Sequence, residues 1–357
     1  MLAVWRAALE QFEKRKDFVL ATILSVQGSS PRHGGTRFLV RQDGAIVGTI
    51  GGGLFEAQVQ EFAATVMQQG QSQRLFFSFK GADAQSTEMI CGGNAEVLVE
   101  FVESRDKDRE EIFRRLLSIT LERRFGLLFT RLAIPLGGHG KVKHLLVEDH
   151  ATRVGGFPGD EAVIRAMPEP RLLRPFQFLE VAGLEHPVFL EWFRPTGTVY
   201  IFGAGHVGAC VAHLAAYVDF KVVVLDDRSD FASGERVPDA DQVIAVDSFD
   251  GALADLAMDE DSYVVIVTRG HAHDKTVLAQ TLRTKAGYIG MIGSRRKIKF
   301  VYDALVKEGF SRDDLLRVHA PIGLAIGGET PQEIGLAIVG EMIQIRHRKE
   351  ELSAVGS

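Results

Sequence analysis

Cysteine is nearly missing from this chain, with only Cys91 and Cys210 among 357 residues. Two thiols in so long a sequence make no disulfide framework, and a reducing cytoplasm is the expected compartment. Long apolar runs are missing too. No stretch approaches the roughly 20 residues of a membrane-spanning helix. The opening segment M-L-A-V-W-R-A-A-L-E-Q-F-E-K-R-K carries acidic residues and reads as an amphipathic helix, not an export signal. No membrane partner is therefore expected. Nor does positive charge predominate: Lys and Arg total 41 against 47 Asp and Glu. That balance lacks the basic footprint of a nucleic-acid-binding surface, so no nucleic-acid partner is expected. Internal repeats and low-complexity tracts are also absent.

Glycine is plentiful, and two glycine-rich turns stand out. G-A-G-H-V-G, with Gly203, Gly205 and Gly208, follows the apolar run V-Y-I-F and leads into V-A-H-L-A-A. A strand, a tight turn and a helix are implied. Such glycines let the backbone approach a pyrophosphate, while the following helix offers unpaired N–H groups and the positive end of its dipole. Asp226 closes the next apolar run, K-V-V-V-L-D, at about the spacing where a dinucleotide fingerprint places a carboxylate for a ribose hydroxyl. The apolar runs Q-V-I-A-V, Y-V-V-I-V-T and Y-I-G-M-I-G follow, separated by helical or polar connections. This alternation predicts a Rossmann-like, doubly wound parallel sheet in the usual 3-2-1-4-5 order.

The N-terminal part reads differently. F-V-L-A-T-I-L-S-V, T-R-F-L-V-R, A-I-V-G-T-I, R-L-F-F-S-F and N-A-E-V-L-V-E-F are strand-like, with a hairpin turn at Asp43 and Gly44 and a helix after Gly51, Gly52 and Gly53. The fold class expected overall is α/β, with an α+β N-terminal domain ahead of the parallel sheet. Domain boundaries are placed at 1–193, a linker at 194–198, the dinucleotide-type domain at 199–350 and a tail at 351–357. Thr330, Pro331 and Glu333 read as the capped start of the last helix.

In the predicted strand order the fourth strand lies beside the first, so the segment R-G-H-A-H-D behind it faces the glycine turn across the switch-point crevice. Arg269, His271, His273 and Asp274 become neighbours of His206 by topology. Arg295, in G-S-R-R-K after the fifth strand, adds a potential anion contact at that edge. The turn Gly51–Gly53 reads either as a plain strand-to-helix junction or as a second helix N-terminus offered to an anion. Cys91, followed by Gly92 and Gly93, reads either as an inert buried thiol or as an exposed, amide-stabilised thiolate. Cys210 reads as core packing.

Taken together, G-S-S-P-R, G-T-I-G-G-G, C-G-G-N-A-E-V-L, G-A-G-H-V-G, D-D-R, T-R-G-H-A-H-D, I-G-M-I-G-S-R-R-K and P-I-G-L-A-I-G-G-E-T-P-Q-E-I-G resemble the XdhC/CoxI family of xanthine dehydrogenase accessory proteins. The resemblance runs in order from about Ala21 to about Arg346 and is thinnest near residues 103–190. It implies a maturation factor and not an enzyme of turnover. Such proteins bind the molybdenum cofactor (molybdopterin) and shelter it while a cysteine desulfurase partner replaces an oxo ligand by sulfido. They then assist its insertion into a client molybdenum hydroxylase of the xanthine dehydrogenase type. By that resemblance Cys91 is the candidate molybdenum ligand. Two departures go with it: Ile90 stands where many members carry a second cysteine, and Gly53 where the CoxI-like branch carries one. The alternative class is an NAD(P)-dependent oxidoreductase holding its nicotinamide cofactor with the fingerprint glycines and Asp226. That reading lacks a recognisable catalytic set. A homo-oligomer is compatible with the helical C-terminal segment.

Overall fold

The computed structural model describes residues 1–28, 33–78, 93–149, 152–168, 173–194 and 196–355. The chain divides into two compact units, one holding Met1–Arg194 and the other Pro195–Leu352.

The first unit runs α1 (Leu2–Glu13), β1 (Phe18–Gly28), β2 (Arg37–Val40), β3 (Ile46–Gly48), α2 (Gly53–Gln69), β4 (Ser72–Ser78), β5 (Gly93–Val102), α3 (Lys107–Glu122), β6 (Gly126–Arg131), β7 (His139–Gly140), β8 (Lys143–Glu148), β9 (Thr152–Gly155), α4 (Asp160–Arg165), β10 (Phe176–Leu179) and β11 (Val188–Phe193). Two sheets result, ordered β3-β2-β1-β5-β4-β7 and β10-β11-β6-β8-β9. Strand β1 reads as a continuous apolar run because both of its faces are buried. Val19, Ala21 and Ile23 pack against α2, whereas Leu20 joins α1, α3 and the second sheet. The expected hairpin joins β2 to β3, with Gly44 at φ +82 and the Asp43 carboxylate accepting the Ala45 amide at 3.0 Å.

Between the two sheets lies a buried polar cluster that no local pattern announced. Arg37 on β2 forms an ion pair with Glu191 on β11. Glu100 on β5 accepts from Arg109 at 2.9 Å and lies 2.8 Å from Nε2 of His144, whose Nδ1 is 3.0 Å from the Thr130 hydroxyl. These groups line a cavity of about 20 Å3 in which Trp5 Nε1 and Arg109 Nε and Nη1 lack hydrogen-bond partners among the described residues. One water molecule needs roughly 10–15 Å3, so this space accommodates one.

The second unit runs β12 (Thr198–Phe202), α5 (His206–Tyr217), β13 (Lys221–Asp226), β14 (Gln242–Ala245), β15 (Ser262–Ile266), α6 (His271–Thr281), β16 (Tyr288–Met291), α7 (Arg295–Lys307), α8 (Arg312–Leu316), β17 (Val318–His319) and α9 (Pro331–Val355). Its sheet is ordered β14-β13-β12-β15-β16-β17, and every adjacent pair is parallel. Helices α5 and α9 cover one face and α6 and α7 the other. The first five strands thus take the predicted order, and the short β17 adds a sixth. Thr330 and Glu333 make the expected reciprocal cap on α9, at 3.3 and 3.0 Å. No described helix is long and apolar enough to cross a membrane.

Candidate functional site

In the first sheet three sequence-distant motifs leave toward one end. Gly28 closes β1 opposite Gly93, which opens β5; Arg37 opens β2 opposite Thr22; Gly48 closes β3 opposite Phe38. Gly28, Gly48 and Gly93 thus lie at the same end of the sheet, and residues 29–32 lie outside the described residues. Cys91 and Gly92 lie outside the described residues. Gly51, Gly52 and Gly53 have φ values of +135, +75 and +63, which only glycine adopts in succession without strain. Their turn is not left open. Oε2 of Glu56, one turn into α2, accepts from the Thr49 hydroxyl at 2.6 Å and from the Ile50 and Gly52 amides at 3.0 and 3.3 Å. The chain's own carboxylate therefore occupies the concave set of donors expected to attract an anion.

In the second unit the three glycines of G-A-G-H-V-G do three different things. Gly203 sits at φ +114, and a Cβ there would meet the Val267 carbonyl oxygen at 2.5 Å. At Gly208 a Cβ would stand 1.9 Å from the Gly203 carbonyl oxygen, so helix α5 passes the turn at a distance only glycine allows. Around Gly205 no described atom beyond its chain neighbours lies within 4 Å of a Cβ position, and φ is an ordinary -66. Gly203 and Gly208 are thus demanded by the fold, while Gly205 borders open space at the N-terminus of α5. No described side chain caps that terminus, and His206, its first residue, is exposed.

Asp226 ends β13 as expected, but it turns inward and is 1% exposed. Oδ2 accepts the Ala204 amide at 2.7 Å and Arg228 Nη2 at 2.9 Å; Oδ1 accepts the Arg228 amide at 3.0 Å and its Nε at 2.8 Å. A carboxylate offers about four lone-pair sites, and four donors fill them. Burial pushes the Asp226 pKa upward, but the Arg228 guanidinium and the two amides outweigh it and hold the group below its ordinary 3.8. The folded state consequently binds this proton less readily than the unfolded chain. The stabilisation is present above 3.8 and is lost as pH falls through the depressed value. Asp226→Asn should lower the melting temperature at neutral pH and flatten its decline in acid; acid limbs as steep as those of the unaltered protein, in melts followed by circular dichroism, would contradict this role.

The segment expected as a histidine loop is the first turn of α6. His271 packs edge-on against Phe300, and His273 against Phe249. Asp274 is fully buried: its Oδ1 accepts from the Thr268 hydroxyl at 2.6 Å, and Lys297 on α7 forms an ion pair with its other oxygen. Arg269 donates to Asp227 at 2.6 Å, with His273 Nε2 at 3.9 Å from the same carboxylate. Since β13 and β15 both flank β12, this contact joins the segments that leave its two neighbours, on either side of the glycine turn. Arg295 is exposed and lines a groove with α7 and α8 residues. The described residues hold no cluster of three or more His, Cys, Asp or Glu disposed to bind a metal.

Glu56, Phe231 and Arg236 join the site only in the structure, and Asp227 stood in the sequence only within the motif D-D-R. Arg236 Nε donates to the Ala204 carbonyl at 2.8 Å, and the guanidinium carbons of Arg228 and Arg236 lie 3.5 and 4.3 Å from the Phe231 ring centroid. The run D-D-R-S-D-F after a predicted strand was the available signal.

Comparison with known proteins gives one family in both units. The XdhC Rossmann domain matches residues 199–342, and the XdhC and CoxI family matches residues 12–79. A protein of Bacillus subtilis named as a probable xanthine dehydrogenase subunit is 25% identical, over 94% of this chain and 95% of its own length. Molybdenum cofactor insertion chaperone PaoD of Escherichia coli is 22% identical, over 99% and 91%. The uncharacterized protein YqeB of Escherichia coli is 25% identical across 96% of this chain, which spans only 46% of YqeB. A Bacillus halodurans crystal structure described as a xanthine dehydrogenase shares the fold, with a TM-score of 0.73, 24% identity and 96% of each chain covered.

Proposed function

The chain belongs to the XdhC and CoxI family, and from that membership we propose that it is an accessory protein of molybdenum enzymes. It binds the molybdenum cofactor, protects it while a cysteine desulfurase installs the sulfido ligand, and assists its insertion into a molybdenum hydroxylase client. The relative named as a molybdenum cofactor insertion chaperone supports this reading. The observation that carries it is the Gly51–Gly53 turn. One anionic oxygen, from Glu56, is already held there by a hydroxyl and two amides. A phosphate oxygen has the same charge and acceptor capacity, so the turn fits the phosphate end of a pterin in exchange for Glu56. Cys91, by the family resemblance, is the thiolate proposed for the metal end. Bound there, the cofactor would supply the molybdenum centre that the client uses. This chain's residues grip, orient and release it.

Purification from a host that makes the cofactor, followed by metal analysis and mass spectrometry, tests the proposal. Molybdenum and pterin should copurify with the protein. Cys91→Ala should lower the molybdenum content by at least the roughly tenfold that even an outer-shell change costs a metal site, and activation of the client should fall with it. Full cofactor content and full client activation in that variant would remove Cys91 from the site. Absence of pterin and molybdenum from the unaltered protein, together with nicotinamide-linked turnover of a small substrate, would favour the oxidoreductase instead.

A further inference from the structure

At the end of β13 the fingerprint carboxylate, Asp226, has no lone pair left for a ribose, while two arginines beside it have donors to spare. In a dinucleotide fold the acid ending the second strand ordinarily accepts the ribose hydroxyls, and a nearby arginine takes their place when the ribose is phosphorylated. Here Asp226 already accepts four hydrogen bonds, three of them from Arg228. Hydroxyls of a free ribose diol find no lone pair on it.

The donors are arranged otherwise. Arg228 uses Nε and Nη2 on Asp226, and among the described residues its Nη1 has no hydrogen-bond partner. Arg236 uses only Nε, on the Ala204 carbonyl, which leaves both its terminal nitrogens without described partners. Both guanidinium groups stack on Phe231, which fixes planar forks that would otherwise lose rotamer entropy on binding. Asp226 and Arg236 respectively hold the amide and the carbonyl of Ala204, inside the glycine turn. The two cations are therefore anchored to the loop that borders Gly205.

We infer that this crevice binds a nucleotide whose ribose carries a phosphate ester, gripped by Arg228 and Arg236 around Phe231, in preference to one with a free ribose diol. Guanidinium groups meet phosphate oxygens through paired charge-assisted hydrogen bonds, and a stacked arginine leaves its second face for a base. The ligand class is a nucleotide phosphorylated at the 2′ or 3′ oxygen.

Calorimetric titration of the full chain at fixed ionic strength tests this. NADPH should bind about tenfold or more tightly than NADH, the difference that one good charge-assisted contact makes. The fragments 2′,5′-ADP and 3′,5′-ADP, compared with 5′-AMP, identify the ester position. Arg228→Gln should weaken NADPH and at the same time strengthen NADH, because it frees acceptor sites on Asp226; a misfolded variant would lose both. Should it lose both, Arg236→Gln decides: its NADPH preference must fall while NADH affinity stays. Equal affinity for the two dinucleotides, tighter NADH, no binding of any of these ligands, or an unmoved preference in Arg236→Gln would overturn the inference.

Discussion

Gly208→Val should prevent the second unit from folding, whereas Gly205→Val should leave the unit folded and abolish nucleotide binding in its crevice. The difference follows from where a Cβ would go. At position 208 it would stand 1.9 Å from the Gly203 carbonyl oxygen, a backbone atom that cannot swing aside without dismantling the turn between β12 and α5. Overpacking against side chains costs about 1–3 kcal/mol, and a rigid backbone obstacle puts the loss at the upper end of that range or beyond. At position 205 the backbone is unstrained, and no described atom beyond the chain neighbours lies within 4 Å of a Cβ position. A valine there projects into the space a phosphate would use. Denaturant melts paired with nucleotide titration separate the two outcomes. A stable Gly208→Val protein, or a Gly205→Val protein that binds like the original, would refute the division of labour.

Arg37→Ala should have the second large effect, in the first unit. Its ion pair with Glu191 is almost fully shielded from solvent, with side chains 3% and 7% exposed. Burial pushes the Glu191 carboxyl above its ordinary range, against the pull of Arg37. Removing one partner of a buried pair typically costs about 3–5 kcal/mol, because the other charge is left uncompensated. The raised pKa adds a pH signature. Without Arg37 the carboxyl rises further, its protonated form is tolerated in acid, and the loss of stability grows as pH climbs through the folded-state value. The double variant Arg37→Met with Glu191→Leu should recover most of the loss, since apolar replacement of both partners is often neutral. A pH-independent loss below about 1 kcal/mol, the range of exposed pairs, would show that the pair is not shielded as described.

The sequence was legible where structure is local. Apolar runs separated by helical connections led to the parallel strand order, because a buried parallel strand must be apolar on both faces. The glycine fingerprint marked the crevice, because a positive φ and a close helix approach are steric demands met by glycine alone. The cap of α9 was readable at Thr330 and Glu333 for a similar reason, since its two hydrogen bonds span three residues. Candidate side chains fared differently. Asp226 stood where the pattern put it, yet its direction depended on Arg228 and on the Ala204 amide, 22 residues away. The histidines were placed behind the correct strand, but rings of Phe249 and Phe300 set their orientation.

What the amino-acid order determined unaided was backbone shape: which runs are strands and where the chain must turn. Only the tertiary structure decided how the charges were spent. Glu56 closing the Gly51–Gly53 turn, Arg228 saturating Asp226, and Arg37 meeting Glu191 from 154 positions away are choices among many carboxylate and guanidinium partners of equal chemistry. Hydrogen bonds and ion pairs carry no sequence-local period, so their pairing is fixed only when folding brings the donors and acceptors together.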